Sequence, residues 1–338
     1  MRAHGSQNRQ RIRSASYVLT SVMQRFSSNQ GTNLAAILTY YAVFALFPSL
    51  VALVSIMKLS GVGDMLVPEF TRMIQQAVPD TGTAEMLVGL VEEFFSATGA
   101  GIGLVIGIIT AMWAAAGYVQ TFAQVMNQIH GIGEGRSPIL LKVRVLTITA
   151  ISLVAVVLVL GAVVAGGDLA VWLGETFGLT TGVVRFWRIV RWPLIVLMVM
   201  ALIAMLYHFT PNVAFPHFRP ITWGSLVAVV TAAAAARGFS FYVANFANYN
   251  VTYGALAGVM IGLLLVWLIN VALVLGAQFD TELIRLKQLR AGLPAERVLQ
   301  LRPRATAGII KAERAANKLA ARGYQIRLDA AGPDQPRQ

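Results

Sequence analysis

Residues 254–279 read GALAGVMIGLLLVWLINVALVLGAQF, 26 positions without an Asp, Glu, Lys or Arg. As a helix rising about 1.5 Å per residue, the stretch is about 39 Å long and exceeds a bilayer hydrocarbon core of about 30 Å. Gly254, Gly258 and Gly262 recur every fourth residue, the spacing of a flat ridge on which a second helix can pack closely. Asn270 is the one amide deep in the run, and Gln278, Asp280 and Glu282 mark its far end. The segment predicts a membrane-spanning helix packed against neighbours.

The rest of the chain has the same character. Hydrophobic residues make up 57% and charged residues 12%, with mean hydropathy +0.66. A soluble chain carries about twice that charge. Five more apolar stretches precede the first, near 34–57 (with Pro48 inside as a helix kink), 99–122, 145–165, 192–209 and 221–244. The 99–122 stretch carries a second glycine series, Gly99, Gly103 and Gly107, read as helix packing. The expected fold is an all-α membrane protein of six transmembrane helices.

Basic residues orient it. With the N-terminus inside, the inner segments hold 21 Lys and Arg and the outer ones five, while Arg237 lies within a span. This excess places both termini in the cytoplasm. Residues 1–33 carry five arginines and no acid; Tyr17, Val18, Val22 and Phe26 share a helical face, the pattern of an interfacial helix on anionic lipid. No apolar core of a cleavable signal precedes residue 34. Three parts follow: a basic N-terminal segment at 1–33, a six-helix domain at 34–283, and a basic, partly helical cytoplasmic tail at 284–338.

The outer loop near 59–98 is long for a connector. Met86, Leu87, Leu90, Val91, Phe94 and Phe95 form a helical stripe, and Leu66, Phe70, Met73, Ile74 and Val78 a weaker one. They predict two amphipathic helices over the outer mouth, either a gate or a hairpin resting on the interface. In the tail, Lys311, Arg314, Lys318 and Arg322 lie on a helix near 305–322 with no interleaved aromatics. Anionic headgroups at both basic segments are the expected partner, nucleic acid is not, and a homo-oligomer is left open.

Enzyme signals are poor. The chain has no Cys and four His, none paired at metal-ligand spacing on a helix; no metal or cofactor site is expected. No phosphate-binding loop for ATP and no Gly-x-Ser-x-Gly elbow occurs. Polar groups at membrane depth are costly unless paired or wetted. The substrate-binding candidates are therefore Arg237, Asn270, Tyr40 and Tyr41, with Asn245, Tyr249 and Tyr253 at the outer turn. Gln278, Asp280 and Glu282 form a polar cluster at the inner end. Each has a plainer reading: a snorkelling arginine, an interhelical amide bond, aromatic anchoring. Gln120, Gln124 and Asn127 form a stripe expected to face the bundle interior or the cytoplasmic interface.

Four strings carry a family resemblance: Thr39-Tyr40-Tyr41 with Leu46-Phe47-Pro48; Pro211-Asn212; residues 238–246, GFSFYVANF; and Tyr253-Gly254 through Trp267, closing on Leu275 to Leu283. Over about residues 15–285 the chain resembles the YihY/BrkB family of bacterial inner-membrane proteins, formerly mis-described as ribonuclease BN. The resemblance implies the inner membrane and an envelope role. Relatives usually carry Glu where this chain has Gln278, which weakens a proton site there, with Asp280 and Glu282 nearby as substitutes. No cluster of His and carboxylates suits two-metal nuclease chemistry. The expected function is a translocator of an anionic or lipid-like solute that hydrolyses no ATP of its own; the alternative is a non-transporting scaffold or envelope-assembly factor.

Overall fold

A computed structural model describes residues 2–59, 81–96, 100–164, 181–246 and 255–331, with 67–68, 71–72 and 74–75. The described elements are α1 (Arg2–Ser28), α2 (Gly31–Leu59), α3 (Thr81–Ser96), α4 (Ala100–His130), α5 (Pro138–Val164), α6 (Thr181–Phe209), α7 (Trp223–Phe246), α8 (Ala255–Arg290) and α9 (Ala307–Ala331). The one strand-like feature among the described residues is a bridge between Val213 and Pro303.

At least five helices are long and apolar enough to cross a bilayer: Val105–His130, Pro138–Val163, Ile189–Phe209, Trp223–Val243 and Val259–Arg290. The sixth expected span corresponds to α2, whose apolar stretch at Gly31–Leu46 is shorter; the helix continues through Pro48 to Leu59. α2 packs along α4, α8 against α7, α2 and α1, and α5 between α4 and α6. Of the two outer-loop helices, the second is α3; the first lies largely outside the described residues.

The tightest packing sits at one end, where α2, α5 and α7 begin and α4, α6 and α8 end. Leu34, Ala35 and Leu38 meet Phe122, Val125, Met126 and Ile129, then Val145, Ile148, Leu206, Tyr207, Val274 and Ala277. α1 and the segment after α8 cover this same end, called here the terminal end. Val18 and Val22, one turn apart, are each 4% exposed, so α1 seats its apolar stripe on protein. An amphipathic stripe fits protein or lipid equally, which is why the sequence reads as an interfacial helix. The turn into α2 uses Gln30 at φ 56°, and a Cβ on Gly31 would stand 2.4 Å from the Phe26 ring.

The two expected glycine ridges are described only in part. Gly262 has nothing within 4 Å of a Cβ, Gly254 and Gly99 lie outside the described residues, and the surroundings of Gly258 and Gly103 are not described. Gly107 is buried. The close crossing lies further along α8. A Cβ on Gly276 would stand 2.4 Å from the Gly224 carbonyl oxygen, and one on Gly224 would stand 2.3 Å from that of Gly276. A four-residue glycine repeat shows that a helix could be approached; whether a neighbour comes depends on rotation about the axis. On α4, Asn127 is buried while Gln120 and Gln124 are exposed.

Gly224→Val and Gly276→Val should each destabilise the protein by about 2–3 kcal/mol through overpacking. Gly262→Ala should be neutral or stabilise by up to about 1 kcal/mol through helix propensity. Thermal unfolding in detergent followed by circular dichroism checks the contrast.

Candidate functional site

The terminal end is organised around two polar centres with a cavity beside them. The first is Glu282 on α8, fully buried. A lone carboxylate there would cost several kcal/mol; three groups compensate it, two from α8 itself and one from α1. Arg285 Nε lies 3.0 Å from Oε2, Arg25 Nε 3.4 Å from Oε1, and Gln278 Nε2 donates to Oε1 at 3.1 Å. Each partner reaches further. Gln278 accepts from Asn29 at 3.1 Å, Arg25 donates to the Glu296 carbonyl at 2.8 Å, and Arg285 to that of Ala295 at 2.5 Å. One buried carboxylate thus ties α1, the α1–α2 turn and the segment after α8 together.

The second centre is Asn212, fully buried in the loop after α6. Its side chain accepts from the Ala305 N–H at 3.1 Å and donates to the carbonyls of Ala305 at 2.9 Å and Gly133 at 3.1 Å. Its backbone N–H donates to Asn127 Oδ1 at 2.7 Å, and Asn127 donates to Glu134 at 3.0 Å. Pro211 ends α6, whose last carbonyls are met by cations. Arg304 takes His208 at 2.8 Å, Arg144 takes Phe209 at 2.9 Å and Arg136 takes Thr210 at 2.9 Å. Positive charge at a helix C-terminus is favourable for the free carbonyls and for the helix dipole. Burial would raise the Glu134 carboxyl, but hydrogen bonds and charge from Arg136, with Asn127, outweigh it and hold the group below its ordinary range.

α7 starts with reciprocal capping: Ser225 N–H donates to Thr222 Oγ1 at 3.0 Å and Thr222 N–H to Ser225 Oγ at 3.1 Å, a hydroxyl version of the capping box. Asp280 on α8 adds a cap, accepting from the Gly224 N–H at 2.7 Å. It lies two residues from both Gln278 and Glu282 and so on another face of α8.

Beside Asp280 lies a cavity of about 600 Å³ between the ends of α4, α6, α7 and α8, the 214–223 loop and Leu301. This volume falls in the ordinary range for small-molecule sites. Its deep wall includes Met126, His130, Ala204, Tyr207 and Ala277; its rim includes His217, Arg219, Ile221, Trp223 and Lys287. The polar atoms of the deep wall are already engaged. Tyr207 donates to the Leu273 carbonyl at 2.5 Å, and His130 Nδ1 lies 2.7 Å from the Met126 carbonyl. The rim is exposed and carries the cations. Edge-on and tilted ring contacts shape the loop: His208 touches Phe209, Phe215 and Phe218.

The candidates named from the sequence scatter. Gln278 and Glu282 share the first centre, and Asp280 lines the cavity. Asn270 is 2% exposed and closes a polar knot, accepting from Tyr118 at 2.9 Å and donating to Thr39 at 3.3 Å; it faces helices, not a cavity. Tyr41 packs on Gly117, while Tyr40 is 59% exposed against Tyr41 and Phe44. Arg237 is exposed on α7 and does not line the cavity. It lies 14 residues, about 21 Å, beyond Trp223, and the featureless Ala232–Ala236 run before it hides which face it takes. The Asn245 side chain is not described, and Tyr249 and Tyr253 lie outside the described residues. Sequence reasoning missed Arg219, Lys287, His130 and Trp223. The available signal was the crowding of rings and cations in YHFTPNVAFPHFRPITW at 207–223. Among the described residues no group of three or more His, Cys, Asp or Glu could hold a metal ion.

The family model described as virulence factor BrkB matches residues 22–298. A Bacillus subtilis (strain 168) protein named as ribonuclease-like, YfkH, is 23% identical over 271 residues, covering 80% of this chain and 96% of that one. A UPF0761 membrane protein of Photobacterium profundum is 28% identical, covering 82% and 84%. Another, of Chromobacterium violaceum, is 26% identical; 78% of this chain spans 60% of its length. No solved structure matches.

Asn212→Leu should lower stability by about 2–4 kcal/mol, because it strands buried backbone groups of Ala305 and Gly133; denaturant titration in detergent measures it. Glu134 binds its proton less readily folded than unfolded. Its contribution is therefore complete above the ordinary carboxylate value and lost as pH falls through the lowered one. The melting-temperature gap between wild type and Glu134→Gln should be present at neutral pH and close below about pH 4.

Proposed function

The chain belongs to the BrkB family of membrane proteins, and we propose that it is a translocator of an anionic, lipid-like solute that works without ATP hydrolysis of its own. The observation that carries this reading is the cavity at the terminal end. It lies where four spans end on one side: His130, Phe209 and Arg290 close three of them and Trp223 opens the fourth. Its walls are largely apolar at depth, with Asp280 the one acid in the lining, and cationic at the rim, the polarity gradient of an amphiphile standing in one leaflet. The excess of Lys and Arg at this end supports a cytoplasmic position for it and for both termini, in a bacterial inner membrane. The chain holds no phosphate-binding loop for ATP.

A scaffold role is favoured by a different feature. From Ile310 to Ala330 every residue of α9 is exposed, with Lys311, Arg314, Lys318, Arg322 and Arg327 along it. Such a helix is available to anionic headgroups or to another macromolecule.

Reconstitution separates the two. Purified protein in liposomes should accelerate transbilayer movement of a fluorescent anionic lipid, and Leu226→Trp, which fills the cavity, should slow it about tenfold. Arg237→Ala should leave the rate unchanged, since that side chain is far from the cavity rim. Wild-type protein without activity toward anionic lipid or anion flux would overturn the translocator reading.

A further inference from the structure

The rim of the cavity is more specific than an amphipathic pocket needs to be. Arg219 comes from the 214–223 loop and Lys287 from α8, so two cations converge from different elements. Neither is in an ion pair among the described residues. Between them the surface is apolar and open: Phe218 is 41%, Ile221 50% and Trp223 66% exposed. Trp223 is the first residue of its span, the level at which tryptophan settles at a membrane interface. The deep wall is lined by the aliphatic carbons of Ala204, Leu226 and Ala277 and by polar atoms that already have partners. The buried side therefore offers an incoming group apolar contact and one carboxylate, Asp280, which already accepts from the Gly224 N–H, while the open side offers the donors of Arg219 and of Lys287, whose charge also offsets that of Asp280.

Resting on the translocator reading, we propose that this cavity binds the phosphate headgroup of an anionic lipid drawn sideways from the adjoining leaflet. Arg219 and Lys287 hold the phosphate from opposite walls, and the start of the acyl chains lies over Ile221 and Trp223. A phosphate presents oxygens in several directions and suits two cations that do not share a plane; arginine and lysine both take it readily. The 600 Å³ cavity serves the head and its glycerol-sized linker, leaving the chains in the bilayer. Ligand and membrane then share one polarity gradient, and entry requires no passage through water.

The test reads binding, not transport. A photo-crosslinking amino acid replaces Ile284, which lines the cavity, in the full chain. The protein is reconstituted in vesicles of equal phosphatidylglycerol and phosphatidylcholine, and the lipid adducts are weighed by mass spectrometry. The ratio of phosphatidylglycerol to phosphatidylcholine adducts should be about tenfold that of the vesicle. Arg219→Gln with Lys287→Gln should return the ratio to that of the vesicle, while Arg297→Gln, an exposed cation outside the cavity lining, should not. Adducts in the bulk ratio for the unsubstituted rim would overturn the proposal. So would loss of the adduct on adding inorganic phosphate, which would assign the site to a soluble phosphate. Either result leaves the lipid-movement assay to decide translocation on its own. The melting temperature of each variant, matched to the parent, confirms that the rim and not the fold was changed.

Discussion

A carboxylate inside a membrane helix must be neutralised where it lies, and Glu282 shows how much structure that one requirement recruits. Arg285 is on its own helix, three residues on, so the local compensation is simple. Gln278, one turn back on the same helix, adds a hydrogen bond, and the rest comes from afar: Arg25 of α1, and Asn29 behind Gln278. The two arginines then spend remaining donors on the carbonyls of Ala295 and Glu296. A buried ion pair adds little net stability compared with an apolar core, but removing one partner is costly. The value of such a centre is specificity: α1 and the chain after α8 have one place to sit.

That placement makes the cavity. The segment after α8 returns across the terminal end, meets the 210–215 loop through Asn212 and Arg304, and contributes Leu301 to the cavity wall. Gly308 N–H donates to the Gly135 carbonyl at 2.9 Å, and a Cβ on Gly135 would stand 1.7 Å from the Ala305 oxygen. The loops are therefore held against each other at backbone contact. The cationic rim is positioned by elements whose own polar groups are satisfied, which leaves Arg219 and Lys287 facing outward. A frame that presents two cations outside any ion pair among the described residues is a binding geometry; the helices below it, crossing closely at Gly224 and Gly276, form the framework on which any movement would have to act.

The helices were legible because hydrophobic length is a local property. The 254–279 run needs no partner to declare itself, and the spans at 145–165 and 192–209 were found in the same way. Rotation was not legible. Gly262 and Arg237 both occupy membrane depth as expected, yet both face away from any described cavity, because Ala- and Leu-rich helices carry little amphipathic signal. The polar centres were half legible. Gln278, Asp280 and Glu282 stood out as acids and amides at a span end, but Asn212 and Arg304 are 92 residues apart and their pairing has no periodicity to reveal it. α8 runs unbroken to Arg290, and residues 295–306 are bonded into the terminal end.

The central claim is that a water-reachable cavity exists at the end where the termini lie, between α6, α7 and α8. The chain has no cysteine, so a single Ile284→Cys substitution reports directly on that space. With protein in sealed vesicles, a membrane-impermeant maleimide added on the side of the termini should label Cys at 284 quickly, and Leu226→Trp should slow the labelling. A Cys at Val274, 2% exposed in the core, should remain unlabelled. Equal, negligible labelling at both positions would mean that the cavity is closed to water and would contradict the account.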